Sequence, residues 1–297
     1  MIGTTAREIS PDALWDLLRS ERPFALIDLR EVGAFSTGHL FMASCLPLSR
    51  LELLAPSRLP RKHIPIVLLS GSGEDAHLTE RGAQVLADAA YTDLHVLPGG
   101  TEAWARSGRE VFSGVNVPSK AFGEFVEHWY DTPRITALEL HERQQRGDNL
   151  IVLDSRPFEE FQRMSIPSGR DCPGAELVRR IHDEIHDPET LVVVNCAGRT
   201  RSIIGAQSLI NAGIPNPVFA LKDGTMGWKL AGLTLERGNK SMLPPPSDPG
   251  LAAAVTAANK VASQCGVITI EPAQVSALLA DESQVTILLD VRTKHEY

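Results

Sequence analysis

Aromatic residues are scarce in this chain, at 5% of 297 residues, and positive charge is in deficit. With 29 Lys and Arg against 37 Asp and Glu, the net charge is −8. Phosphate backbones need a basic face, and no basic stripe offsets this balance, so nucleic acid is excluded as a general partner. No run of about 18 apolar residues occurs, so no membrane span and no membrane partner are expected. The opening MIGTTAREISPDALWDLL lacks the basic start and apolar core of a signal peptide. The four cysteines, Cys45, Cys172, Cys196 and Cys265, form no C-x-x-C pair. A structural zinc site and a disulfide framework are therefore excluded, and no metal or cofactor is expected. Reduced thiols in a cytoplasmic protein are the simplest reading.

What is present is a hydrophobic content of 43%, enough for two domains or slightly more. The chain also repeats itself. Residues 26–35 read LIDLREVGAF, residues 150–161 read LIVLDSRPFEEF, and residues 287–297 read ILLDVRTKHEY. Each is an apolar strand, then Asp-x-Arg, then an aromatic five residues beyond the Arg. Asp28, Asp154 and Asp290 lie 126 and then 136 residues apart, which is a domain-sized period. Each strand follows a short amphipathic helix announced by Ile9-Ser10-Pro11, Ile135-Thr136-Ala137 or Ile270 with Glu271-Pro272. Further matches pair Ile66–Leu69 with residues 191–194, Gly82-Ala83-Gln84 with Gly205-Ala206-Gln207, and Trp104 with Trp228. Alternating strands and helices predict an α/β fold, with a mostly parallel sheet in each repeat and helices on both faces.

The repeat sets expected boundaries: a first domain over 1–118, a second over 119–240, a proline-rich linker and helix over 241–266, and the start of a third domain over 267–297. An amphipathic piece at 121–130 is placed to pack across both domains, and 241–250 is expected to be extended. A lone helix–strand pair cannot bury a core, so the chain is expected to be part of a longer one. Otherwise its last 30 residues or so are expected to be poorly ordered or docked onto the second repeat.

Residues 191–213, LVVVNCAGRTRSIIGAQSLINAG, carry the chemistry. They read as a buried parallel strand, a tight loop opening on Cys196, and a helix that stops at Gly213. Such a loop gathers unpaired backbone N–H groups, the positive end of a helix dipole, and the guanidinium groups of Arg199 and Arg201 around one sulfur. All three favour a thiolate. The alternative is an inert, buried cysteine, which is common. The backbone of Ala197, Gly198, Arg199, Thr200, Arg201 and Ser202 is the expected anion cradle. Gly198 is expected where backbone crowds the ligand or φ is positive.

Strand–Asp-x-Arg with a following aromatic, the loop Cys196-Ala-Gly-Arg-Thr-Arg201, and the Gly224-x-x-x-Trp228 close together resemble the rhodanese (thiosulfate sulfurtransferase) family. The resemblance covers two full domains and the start of a third, a tandem arrangement known in the family. It implies tandem rhodanese-like domains and a loop cysteine that takes a sulfane sulfur as a persulfide and passes it on. The implied partners are a small anionic sulfur donor and a thiol or cyanide acceptor, which extends to a protein sulfur acceptor. The family often reads Gly-His-Ile-Pro-Gly-Ala after the first strand. The first repeat keeps Gly38-His39-Leu40, whereas the second reads Ser165-Ile166-Pro167, a departure at a His read as structural.

Asp154 and Arg156 recur in all three repeats and are read as a structural ion pair near the site. Opposite Cys196 the first repeat carries Ser70, with Glu74 and Asp75 in place of arginines. A serine without a base cannot carry a persulfide, so that domain is expected to be inactive. Cys172 is weighed as a resolving thiol and set behind a packing role. His182 and His186, four apart on an expected helix, read as a solvated face. Two other functions compete. Cysteine phosphatases place five residues between Cys and Arg, and here there are four, a smaller ring that suits one sulfur atom. A non-enzymatic sulfur relay or partner-binding module is the other.

Overall fold

The computed structural model describes residues 6–71, 75, 77–281, 283–284 and 286–292. Contacts divide these into two units, 6–118 with the described part of 270–292, and 119–269.

In the first unit the elements run β1 (Arg7–Glu8), α1 (Pro11–Leu18), β2 (Ala25–Asp28), α2 (Val32–Thr37), β3 (Ser44–Cys45), α3 (Leu48–Arg58), β4 (Ile66–Leu69), α4 (His77–Asp88), β5 (Leu94–Val96) and α5 (Gly100–Arg106). Ser10 caps α1 by accepting from the Ala13 N–H at 3.1 Å, and Pro11 follows in the first turn, where its missing N–H costs nothing. The five strands form a parallel sheet in the order β1-β5-β4-β2-β3.

The second unit repeats this plan. Helix α6 (Val117–Tyr130) leads into β6 (Arg134–Ile135), α7 (Ala137–Arg146), β7 (Leu150–Asp154), α8 (Phe158–Arg163) and β8 (Gly169–Asp171). A short α9 (Leu177–Arg180), β9 (Leu191–Asn195), α10 (Thr200–Ala212), β10 (Val218–Leu221), α11 (Gly224–Leu230) and α12 (Asp248–Gln264) complete it. Thr136 and Glu139 form a reciprocal capping box at the start of α7. The sheet is parallel, in the order β6-β10-β9-β7-β8.

Both sheets are covered on both faces, and the side chains show why. Along β9, Val192 and Val194 enter one core cluster while Leu191 and Val193 enter another. Along β4, Ile66 and Leu68 part from Val67 and Leu69 in the same way. Successive strand side chains point to opposite faces, so an unbroken apolar run is what a doubly covered strand requires. Each such valine contributes roughly 1.5–3 kcal/mol relative to an exposed one.

Two expectations need correction, at 287–289 and at the two histidines, and a third is refined. The 241–250 stretch runs without helix to Ser247, enters α12 at Asp248, and is tied to the second unit. Asp171 donates its N–H to the Ser241 carbonyl, Leu243 donates back to Asp171, and Leu243 is fully buried in the second core. The strand expected at 287–289 does not form, and Ile287, Leu288 and Leu289 are exposed. The helix before it does form, as α13 (Pro272–Ala280), because its capping box of Glu271 and Gln274 is local. A strand needs a neighbour, and none pairs with this segment among the described residues. The segment also groups with the first unit, not with the second. Finally, His182 and His186 do not share a helix. Helix α9 ends at Arg180 and gives way to a 3-10 turn at Ile181–Asp183.

Candidate active site

Cys196 is the residue after β9, at the carboxyl end of a central strand, and it is 2% exposed. The chain then turns through Ala197, Gly198 and Arg199 into α10, whose N-cap residue Arg199 supplies no side-chain cap. The first N–H groups of α10, on Thr200, Arg201 and Ser202, have no acceptor one turn back inside the helix. Helix α10 thus opens with unsatisfied donors and the positive end of its dipole beside the cysteine loop. The buried hydroxyl of Ser202 lies 3.5 Å from the Cys196 sulfur and donates to the Arg199 carbonyl at 2.8 Å.

A second helix clasps the loop from behind. The N–H of Thr225 donates to the Cys196 carbonyl at 2.8 Å, and that of Met226 to the Ala197 carbonyl at 3.0 Å. This close approach depends on Gly224, whose φ is +54°. A Cβ there would lie 2.4 Å from the Cys196 carbonyl oxygen and 2.6 Å from that of Gly198. The positive φ that the sequence reading offered for Gly198 is found at Gly224. Gly198 itself has no positive φ, and a Cβ on it meets nothing within 4 Å.

Asp154 and Arg156 stand directly beneath the loop and are both buried. Arg156 reaches both Asp154 oxygens at 2.7 Å and the Met164 carbonyl at 2.7 Å. Asp154 also accepts from the Asn195 amide at 2.7 Å, and that amide donates to the Thr225 hydroxyl at 3.0 Å. The pair thus reaches both ends of the clasp around Cys196. Asp28 and Arg30 repeat the arrangement in the first unit, at 2.9 and 2.6 Å, with Arg30 reaching the Gly38 carbonyl.

Both loop arginines are held by carboxylates, which sequence reading missed. Arg199 pairs with Glu124 at 2.7 Å and with Glu127 of α6, and Glu127 also holds Arg134 at 3.0 Å. Glycine at 123 lets α6 approach, since a Cβ there would fall 2.9 Å from the Thr200 methyl. Arg201 forms a two-pronged pair with Glu160 of α8, at 3.0 and 2.8 Å. The Arg201 guanidinium holds the Glu160 carboxyl below its ordinary range. Glu160 in turn raises Arg201, with lesser contributions from Cys196 and Asp154. Two acids three apart on a helix beside an expected cationic loop were the available signal for Glu124 and Glu127.

A cavity of about 430 Å³ opens beside this pair, between Ser155, Pro157 and Gly174 on one side and Arg201, Ile204 and Ser208 on the other. Among the described residues no group of three or more His, Cys, Asp or Glu is placed to hold a metal ion. Nor is any helix among them long and apolar enough to cross a membrane.

The remaining sequence candidates fall elsewhere. Cys172 is fully buried, and burial pushes its thiol up to about 12. Cys45 is raised by burial and by Asp28 and Glu31, and Cys265 is exposed. Ser70 takes the place of Cys196 in the first unit, buried, with its hydroxyl donated to the Gly71 carbonyl at 3.0 Å. Asp75 stands close to Gly71 and Arg30. Glu74 lies outside the described residues. His39 is buried, its Nδ1 donates to the Phe35 carbonyl at 3.1 Å, and its ring stacks on that of Phe35. Buried Ser165 stands at the corresponding place in the second unit.

Comparison with known proteins agrees with this architecture. The rhodanese-like domain model matches residues 10–107 and 136–231. A crystal structure of thiosulfate sulfurtransferase from Pseudomonas aeruginosa superimposes with a TM-score of 0.92 at 44% identity, covering 98% of this chain and 55% of that one. An HTH-type transcriptional regulator from Mycobacterium tuberculosis is 34% identical over 104 residues, which is 35% of this chain and 45% of the regulator. The chain thus spans about half the length of these relatives. With two matched copies on two parallel α/β sheets, the chain belongs to the family of rhodanese-like domain proteins, carrying two such domains in tandem.

Proposed function

We propose that this chain is a sulfurtransferase that moves a sulfane sulfur through a persulfide on Cys196. The observation that carries the reading is the placement of Cys196, nearly enclosed at the N-terminus of α10, with only four residues between it and Arg201. A ring of that size fits a single anionic sulfur better than a phosphate. The 44% identity to a thiosulfate sulfurtransferase over 98% of this chain supports it.

In the first half-reaction the Cys196 thiolate attacks the outer sulfur of a donor such as thiosulfate. An S–S bond forms at Cys196, the donor S–S bond breaks, and sulfite leaves with the electron pair. Backbone N–H groups of residues 197–202 hold the terminal sulfur anion, with Arg199 and Arg201 at the loop's edge as ion pairs, of which the Arg201–Glu160 pair is the one open to an incoming anion. The Ser202 hydroxyl accepts from the thiol in the resting state and turns to donate to the thiolate. In the second half-reaction cyanide, a small thiol or a protein thiol attacks the outer sulfur and Cys196 leaves as thiolate. No cofactor enters either step.

The domain assignment follows the same reading. Residues 119–240 form the active domain. Residues 1–118 form an inactive one, with Ser70 at the reaction position and no persulfide carrier. Residues 241–266 are the connecting segment and 267–297 begin a third domain. Unpaired thiols suit a cytoplasmic setting.

Incubation with thiosulfate and cyanide, run beside para-nitrophenyl phosphate, tests the proposal. Thiocyanate that disappears in Cys196→Ser is the expected result. Phosphate release without thiocyanate overturns it in favour of a phosphatase, and neither product leaves a binding or relay module.

A further inference from the structure

The two loop arginines are neutralised to different degrees, and the difference singles out one acid. Arg199 is fixed: it is shared by Glu124 and Glu127, and Glu127 is buried and bonded again to Arg134. Among the described residues Arg201 has one carboxylate partner, Glu160, and the pair is open to solvent, with side chains 42% and 41% exposed. Exposed pairs of this kind are weak, so an incoming anion can take the carboxylate's place. Arg201 borders the 430 Å³ cavity, and it lies within electrostatic reach of Cys196. The sequence repeats point the same way. The residue in register with Glu160 is Ala34 in the first repeat, whose loop lacks both arginines. Between the first two repeats the acid goes with the arginine, and the fold does not need it, because α2 forms without it; the third repeat carries Glu296 in the same register.

We propose that Glu160 is a specificity-determining residue: by occupying both prongs of Arg201 it competes with anionic ligands for the guanidinium and disfavours them at the Cys196 site. An anionic reagent gains Arg201 only by displacing Glu160. A neutral reagent of the same shape reaches Cys196 without that exchange. Applied to sulfur donors, this rests on the sulfurtransferase reading and makes Glu160 a brake on dianionic thiosulfate relative to donors of lower charge.

The test compares Glu160→Gln, which keeps the shape and removes the charge, with the unaltered chain. Cys196 is alkylated with iodoacetate and, separately, with iodoacetamide, and both rates are read on the Cys196 peptide by mass spectrometry. The expected result is a rise of about 1.5- to fivefold in the iodoacetate-to-iodoacetamide rate ratio, the span of an exposed charge pair. The KM for thiosulfate should fall by a similar factor, with the change on KM and not on kcat. In Glu160→Gln combined with Arg201→Gln the rise in the ratio should vanish. An unchanged ratio in Glu160→Gln overturns the proposal, as does a rise that persists without Arg201. Absence of thiocyanate from the unaltered chain overturns the sulfurtransferase reading instead, and the alkylation ratio still decides the role of Glu160.

Discussion

Asp154 accepts a hydrogen bond at 2.7 Å from the amide of Asn195, the residue just before Cys196. The same carboxylate is held by both prongs of Arg156, and all three side chains are buried. A feature that recurs in a domain without the cysteine thus acts on the cysteine's position in the domain that has it.

Removing Asp154 should therefore cost more than a contact. Asp154→Ala leaves the Arg156 guanidinium buried and unpaired, a change of about 3–5 kcal/mol. Chemical denaturation should show the second unit unfolding at lower denaturant while the first is unaffected. A single transition at the unaltered midpoint would contradict the assigned pairing.

Gly224→Ala tests the clasp from the other side. A residue with a Cβ pays about 1–2 kcal/mol for the left-handed conformation alone. The 2.4 Å approach to the Cys196 carbonyl adds steric displacement of the loop. Melting temperature should fall, and alkylation of Cys196 should change along with it. The same substitution at Gly198, which has open space around it, should leave the melting temperature close to its original value.

Ser202→Ala removes a side-chain hydroxyl 3.5 Å from the sulfur. In the proposed mechanism this hydroxyl turns to donate to the attacking sulfur anion, and a hydrogen bond to a charged group is worth about 1.5–3 kcal/mol. Iodoacetamide labelling of Cys196 at neutral pH should slow at least several-fold. An unchanged rate would contradict this role for Ser202.

Asp171 sets a pH dependence. It is buried, neither side-chain oxygen has a hydrogen-bond partner among the described residues, and burial followed by the charge of Asp154 raises it from 3.8 to about 6. The folded chain then binds more protons than the unfolded one between those two values, so this group lowers stability as pH rises from about 4 through about 6. Asp171→Asn should stabilise the second unit above pH 6, and its advantage should shrink towards pH 4. Melting curves of both proteins across that range check this, and an advantage that does not vary with pH would contradict it.

Much of this was legible in the sequence because it is written locally. Alternating strand and helix patterns, the Ser10 and Thr136 caps, and an apolar run ending in Asn195-Cys196 depend on neighbours along the chain. The partners of Arg199 and Arg201 were not legible. Glu124 is 75 residues from Arg199, and Glu160 is 41 residues from Arg201. Charge at the loop was overcounted for that reason, since two cations in sequence became two ion pairs in space. The strand expected at 287–289 failed for a related reason: its apolar pattern is local, but its hydrogen-bond partners are not. Gly224 was noticed only as part of a closing motif, because a left-handed φ and a 2.4 Å approach become visible only once α11 meets the loop.

The most direct measurement is the intact mass of the protein after exposure to thiosulfate and removal of excess donor. Transfer through Cys196 predicts a gain of one sulfur atom per chain, lost on treatment with cyanide with release of thiocyanate, and absent from Cys196→Ser. A mass unchanged by thiosulfate, or a gain that survives in Cys196→Ser, would contradict it.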